Sequence, residues 1–206
     1  MSINKISSVD KPIAEFIFAH GAGAGIDSEF MQDMALLLSE RHILVSAFNF
    51  DYMQTMTETG KRRPPDRMPK LQACFETKIA NRQTDLPLFI GGKSMGGRVA
   101  SLVLQQSTAI GGIALGYPFH PSAKPEKLRT EHLYPLLKPL LVIQGEKDTF
   151  GRQQEVLDYG LPDNIQCHFL EAADHSFKPT KRSGYTQQQH LISAADIIQQ
   201  FIQRQL

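Results

Sequence analysis

The chain has 206 residues, 41% of them hydrophobic and 21% charged. That is enough apolar material for one domain with a full core, and a formal net charge of +1 removes any global electrostatic case for binding nucleic acid or a membrane surface. The two cysteines, Cys74 and Cys167, form no C-x-x-C pair, which argues against a metal cluster or a disulfide framework and fits a reducing cytoplasm.

The first ten residues lack the apolar h-region of a secretory leader, and no apolar run approaches bilayer length. No composition shift marks a boundary, so residues 1–206 read as a single domain. Apolar strands alternate with helical patterns, which predicts an α/β fold with a mostly parallel twisted sheet and helices on both faces. The first strand is expected over 13–19, ending in the glycine-rich loop His20-Gly21-Ala22-Gly23-Ala24-Gly25. A helix follows, capped by Asp27 or Ser28, with Phe30, Met34, Leu37 and Leu38 on its apolar face. Strand 43–48 comes next, then a turn-rich stretch 60–66 and a helix over 68–79. A strand over 86–91 precedes G-G-K-S-M-G-G, and a helix over 98–104 follows it. Strands are expected over 110–116, 140–144 and 165–170. The closing helix carries its stripe at Leu191, Ile192, Ala195, Ile198 and Ile202.

Within that order, Gly92-Lys93-Ser94-Met95-Gly96 fits G-x-S-x-G. Alone, the pattern arises by chance in roughly one chain of this length in twenty. Between a strand and a helix it describes a nucleophile elbow, whose glycines are needed because the neighbouring backbone comes too close for side chains at 92 and 96. The rival P-loop reading needs a glycine at 87, where the chain has Pro87. A serine hydroxyl needs a base and an orienting carboxylate, in the chain order Ser, acid, His. Asp148, just past strand 140–144, is the expected acid, with Glu146 its neighbouring rival. His175, just past the last strand, is the expected base. Asp174 is disfavoured as orienter because an adjacent side chain rarely folds back onto the ring. His168 reads as a packing residue inside a strand. The oxyanion hole is expected from the backbone N–H groups of Met95 and, in the 20–25 loop, Ala22. A dinucleotide fingerprint is the alternative for that loop, with Asp51 as ribose acid, but Ile26 stands where the last glycine is required.

These residues resemble the α/β-hydrolase superfamily. The loop H-G-A-G-A-G, Phe48-Asn49-Phe50 followed by Tyr52, the stretch Gly60-Lys61-Arg62-Arg63-Pro64-Pro65-Asp66 and G-G-K-S-M-G-G narrow it. Together they resemble a family of small, mostly bacterial hydrolase-like proteins, whose eukaryotic relatives are a testis-expressed protein and subunit three of the nonspecific-lethal chromatin complex. Dienelactone hydrolases are a more distant resemblance, carrying Cys where this chain has Ser94. Asp51 stands where the family stretch F-x-F-P-Y carries proline, a departure that concerns loop geometry rather than the triad. The resemblance implies a hydrolase fold and fixes no substrate.

Only residues 117–138 separate two expected strands after the elbow, too few for a cap domain, so an open, shallow site is expected. His20, Gly21, Tyr52, Met53, Met95, Phe119 and His120 are candidate wall residues, each aromatic or Met being equally readable as core. Arg62, Arg63 and Lys93 would bias the mouth toward acidic substrates; the alternative is that Arg63 and Asp66 staple a proline-rich turn. The expected activity is serine-hydrolase cleavage of a small-molecule ester or thioester through an acyl-enzyme, with no metal or cofactor, no nucleic acid, no membrane and no assigned protein partner. A catalytically silent interaction module and an acyltransferase with the same triad are the alternatives.

Overall fold

The computed structural model describes residues 4–5 and 10–206, so the segment read above for a leader lies mostly outside the described residues. Strands β1 (Asn4–Lys5), β2 (Ala14–Ala19), β3 (Ile43–Phe48), β4 (Leu88–Lys93), β5 (Gly111–Leu115), β6 (Leu140–Gly145) and β7 (Ile165–Leu170) form one sheet. Its order is β1-β3-β2-β4-β5-β6-β7; β1 pairs antiparallel with β3 and all other pairs are parallel. The helices are α1 (Glu29–Ser39), α2 (Asp51–Thr59), α3 (Met68–Ala80), α4 (Met95–Leu104), α5 (Gln153–Asp158) and α6 (Gln187–Gln205).

Parallel strands need crossovers, and crossover helices cover both faces of the sheet, so the strands should be apolar throughout. Every residue of β2 to β6 is buried, whereas the edge strand β7 is half-buried along its middle. One core layer lies under α1 and α6, with Phe16, Phe18, Leu38, Ile198 and Phe201. The other lies under α3 and α4, with Phe48, Phe75, Ile90, Val99 and Val142. The chain leaves β2 toward β3 on one side and β4 toward β5 on the other. Connections that diverge in this way open a crevice at the strands' C-terminal ends, between the 20–25 loop and Ser94.

Several elements differ from the sequence expectation, each for a physical reason. α2 was not foreseen, because only Tyr52 and Met53 are buried along it and it has no apolar stripe to read. Asp51 is its first residue, a position that favours an acidic side chain through the helix dipole and also accepts proline, so the departure from the family stretch leaves a helix start intact. α5 is six residues with Val156 alone buried, too short to show a period. β4 runs two residues further than expected, because Gly92 and Lys93 stay extended and pair with Ala114 and Leu115; α4 accordingly starts at Met95. On α6, Ile192 is exposed and Phe201 joins the buried face. Ser28 sits at the N-cap of α1, yet its hydroxyl donates to Gly25 O rather than accepting from the helix. Residues 117–138 contain a single short 3₁₀ turn, Glu131–Leu133, and no cap domain. Among the described residues no helix is long and apolar enough to cross a membrane.

β2 and α4 meet at the glycines. A Cβ on Gly96 would lie 2.5 Å from Ala19 O and 2.7 Å from His20 O, both backbone atoms that cannot swing away. Gly96→Ala is therefore expected to destabilise the protein by about 2 kcal/mol or more, read as a lower urea midpoint at unchanged slope.

Candidate active site

β4 ends at Lys93 and α4 begins at Met95, so Ser94 makes the whole turn by itself. Its φ of 50° and ψ of −113° lie outside the regions L-residues favour, a strain of about 1–3 kcal/mol. The surroundings hold it there. Ser94 N donates to Leu115 O at 2.9 Å, and Arg98 N donates to Ser94 O at 3.1 Å.

His175 reaches the same point from the turn after β7. Asp174 shapes that turn, its Oδ1 accepting from the backbone N–H of Ser176 (2.7 Å) and Lys178 (2.9 Å). His175 Nε2 lies 2.9 Å from Ser94 Oγ, and Nδ1 lies 2.7 Å from Asp148 Oδ2. A carboxylate can only accept, so Nδ1 carries the proton and Nε2 is free to accept from the serine hydroxyl. Asp148 has no exposed surface and two further donors: Phe150 N on Oδ1 (2.8 Å) and Gln144 Nε2 on Oδ2 (3.0 Å). The amide of Gln144, on β6, also reaches Tyr117 O (3.2 Å) and Gly151 O (3.0 Å), tying together the segments after β5 and β6. Sequence reasoning missed Gln144; a buried amide at a strand end, four residues before the expected acid, was the available signal. Glu146 instead accepts from Ala172 N at 2.5 Å, and the Asp174 carboxylate is used within its own turn.

The 20–25 loop is set by two buried side chains. His20 Nε2 accepts from Phe50 N (3.1 Å) while Nδ1 lies 2.6 Å from Gly21 O, which fixes the neutral ring with Nδ1 as donor. Burial pushes His20 down to about 4, opposed by the bond to the Gly21 carbonyl. Tyr52 OH donates to Ala22 O at 3.1 Å. Because a trans peptide points its N–H opposite its C=O, drawing the Gly21 carbonyl toward His20 turns the Ala22 N–H the other way.

A cleft of about 400 Å³ joins these parts, lined by Gly21, Ala22, Phe30, Met31, Ser94, Phe150 and His175 among others. The Phe150 ring packs 4.5 Å from the His175 ring. Phe30, Met31 and Phe150 were not expected in the wall; the first two enter because the first turn of α1 directly follows the glycine loop. Of the expected wall residues, only Gly21 lines this cleft. His20 and Tyr52 are fully buried behind the loop they support, and Met53 packs beside Gly25. Phe119 is fully buried against Tyr117 and Tyr159, and the buried His120 hydrogen-bonds Pro121 O through Nδ1. Arg62 is exposed between α2 and α3 and does not line this cleft, while Arg63 and Lys70 both pair with Asp66 at 3.7 and 3.0 Å. The expected cationic mouth reduces to Lys93, which is itself buried. His168 lies inside β7 as expected and is half-buried there.

A family model described as an alpha/beta hydrolase domain matches residues 12–203. Among solved structures, Est1E from Butyrivibrio proteoclasticus with ferulic acid bound superposes with a TM-score of 0.70 at 12% identity, over 99% of this chain and 94% of that one. Dienelactone hydrolase from Anabaena variabilis gives 0.69 at 16%, over 98% and 96%. XC6422 from Xanthomonas campestris, described as an α/β serine hydrolase without lid, gives 0.67 at 21%, over 96% and 84%. At these identities the likeness is one of fold.

Two measurements follow from the supports. The folded His20 takes a proton only near pH 4, the unfolded one near 6.5, so stability is full above 6.5 and falls as pH drops toward 4. His132, also pushed to about 4 by burial and the nearby Arg98, adds to the same window. Thermal midpoints should fall across that range, less steeply in His20→Gln. Gln144→Leu strips a donor from Asp148 and from two buried carbonyls, and is expected to lower the unfolding free energy by about 2 kcal/mol in urea melts.

Proposed function

The chain belongs to the alpha/beta hydrolase domain family, and from that premise we propose that it is a serine hydrolase acting on a carboxylic ester or thioester of a small molecule. The observation that carries this reading is the unbroken line of hydrogen bonds from Asp148 through His175 to Ser94, with 2.7 and 2.9 Å steps. Ser94 Oγ attacks the substrate carbonyl as His175 Nε2 takes its proton. Asp148 keeps Nδ1 protonated and steadies the imidazolium that forms. The N–H groups of Met95, opening α4, and Ala22 receive the developing oxyanion. His175 then returns the proton to the leaving oxygen or sulfur, leaving an acyl group on Ser94. Water, deprotonated by the same ring, releases the acid and restores the serine. No cofactor enters this sequence of steps.

The composition of the cleft supports a substrate with a modest apolar or aromatic part, since Phe30, Met31 and Phe150 line it. Esterases among the structures of similar fold support an ester over an amide. Within the family we assign the chain, on its four ordered motifs, to the small bacterial hydrolase-like proteins related to the testis-expressed protein and to nonspecific-lethal subunit three. The free thiols of Cys74 and Cys167 support a cytoplasmic setting.

Turnover of a panel of aryl acetates, butyrates and acyl thioesters tests the proposal. Ser94→Ala is expected to lower kcat by about a million-fold with little change in thermal midpoint. Equal turnover by wild type and Ser94→Ala would remove the proposal. Free acid as sole product in the presence of added alcohols and amines distinguishes hydrolysis from acyl transfer.

A further inference from the structure

Lys93 is the residue immediately before Ser94, and its side chain is buried, with 9% of the residue exposed. Its ammonium donates to the His175 carbonyl at 2.6 Å and stands 5.3 Å from the Phe30 ring centroid and 5.7 Å from that of Phe177. Among the described residues, no carboxylate reaches it at ion-pair distance. Gly116, with φ +65°, makes room for the arrangement. A Cβ there would lie 2.7 Å from Lys93 Nζ, 3.0 Å from His175 O and 3.2 Å from His175 Nδ1. The ammonium and the imidazole therefore crowd one point, with the lysine holding the main chain of the histidine from the nucleophile's own strand. A desolvated cation paired only with a carbonyl and two aromatic faces is an expensive way to fill a core. An apolar side chain would pack there without that penalty, so the charge calls for a reason.

We propose that Lys93 is a positioning residue for the base: its charged ammonium clamps the His175 carbonyl to the end of β4 and so fixes the reach of the ring to Ser94. The proposal rests on the serine-hydrolase reading above, since it names what holds the base of that mechanism. The clamp depends on charge in both its parts, because a charge-assisted hydrogen bond is roughly twice as strong as a neutral one and the attraction to the ring faces requires a cation. The groups that face Lys93 are the Asp148 carboxylate after β6 and Asp174 and His175 after β7; α1 presents Phe30 and the end of β5 presents Gly116. Burial pushes Lys93 down to about 8, with Asp148 and Asp174 acting in the opposite direction. The clamp is thus at full strength at neutral pH and weakens as pH rises through about 8.

The test is the second-order rate of labelling by a fluorophosphonate probe across about pH 6 to 10, for wild type and Lys93→Met. Wild type should show an alkaline fall centred near the Lys93 value. Lys93→Met, which packs between the same two rings, should label about ten-fold or more slowly at neutral pH and show no alkaline fall. The proposal is overturned if the variant keeps either the wild-type rate or the fall. Should wild type fail to label at all, the hydrolase reading fails instead. The proton NMR signal of the His175 Nδ1–H bound to Asp148 then decides the role of Lys93. Sharp in neutral wild type and lost in Lys93→Met supports the clamp; unchanged in the variant overturns it.

Discussion

The structure turns on the hydrogen-bond line from Asp148 through His175 to Ser94. Its three members leave the sheet at the ends of β6, β7 and β4, and Ser94 and His175 stand 81 residues apart in the chain. A line of bonds under 3 Å across three loops tolerates little error, since a displacement of about 1 Å can reduce a rate a hundred-fold. Much of the local structure can be understood as holding those ends still. Gln144 fastens Asp148 to the neighbouring loops, Asp174 and Glu146 shape the turn that carries His175, and the glycines let α4 close against β2.

The same requirement explains why the region departs from what stability alone would favour. Ser94 is held at positive φ, His20 is kept neutral by burial, Asp148 is fully enclosed and Lys93 is a cation in an aromatic setting. Each of these features is unfavourable by itself and each touches or supports the cleft. Such features also lie outside the cleft: Glu15 is buried on β2, where Ser46 Oγ donates to it, and Lys11 and His42 hold positive φ. Most strand residues are apolar, and α6 starts with a capping box in which Thr186 and Gln189 satisfy each other's backbone. At the cleft these features converge on one point, the pattern expected where geometry at a site has been kept at the expense of local stability.

The alternation of buried strands and helices was legible in the sequence because parallel sheets leave long apolar runs, as in residues 43–48 and 140–144. Ser94, Asp148 and His175 could be singled out because their chemistry requires an order along the chain and positions at strand ends, both of which a linear sequence preserves. The walls of the cleft were not legible. Tyr52, Phe119 and His120 carry the right chemistry near the right edge, but whether a side chain faces the cleft or the core depends on loop paths that leave no period. Phe150 is a loop residue whose place depends on the turn that follows β6, and α2 lacks the apolar stripe that would have announced it. Lys93 was legible as a charge near the site, whereas its inward direction follows from Gly116, more than twenty residues later in the chain.

The central claim is that Ser94 is activated by the groups aligned behind it. Its most direct test is intact and peptide mass after exposure to a fluorophosphonate, on wild type and on a folded His175→Gln protein. The account predicts one adduct on wild type, mapping to Ser94, and a rate of labelling reduced by orders of magnitude when His175 is replaced. Equal labelling of the two proteins, or an adduct on any other serine, would contradict it.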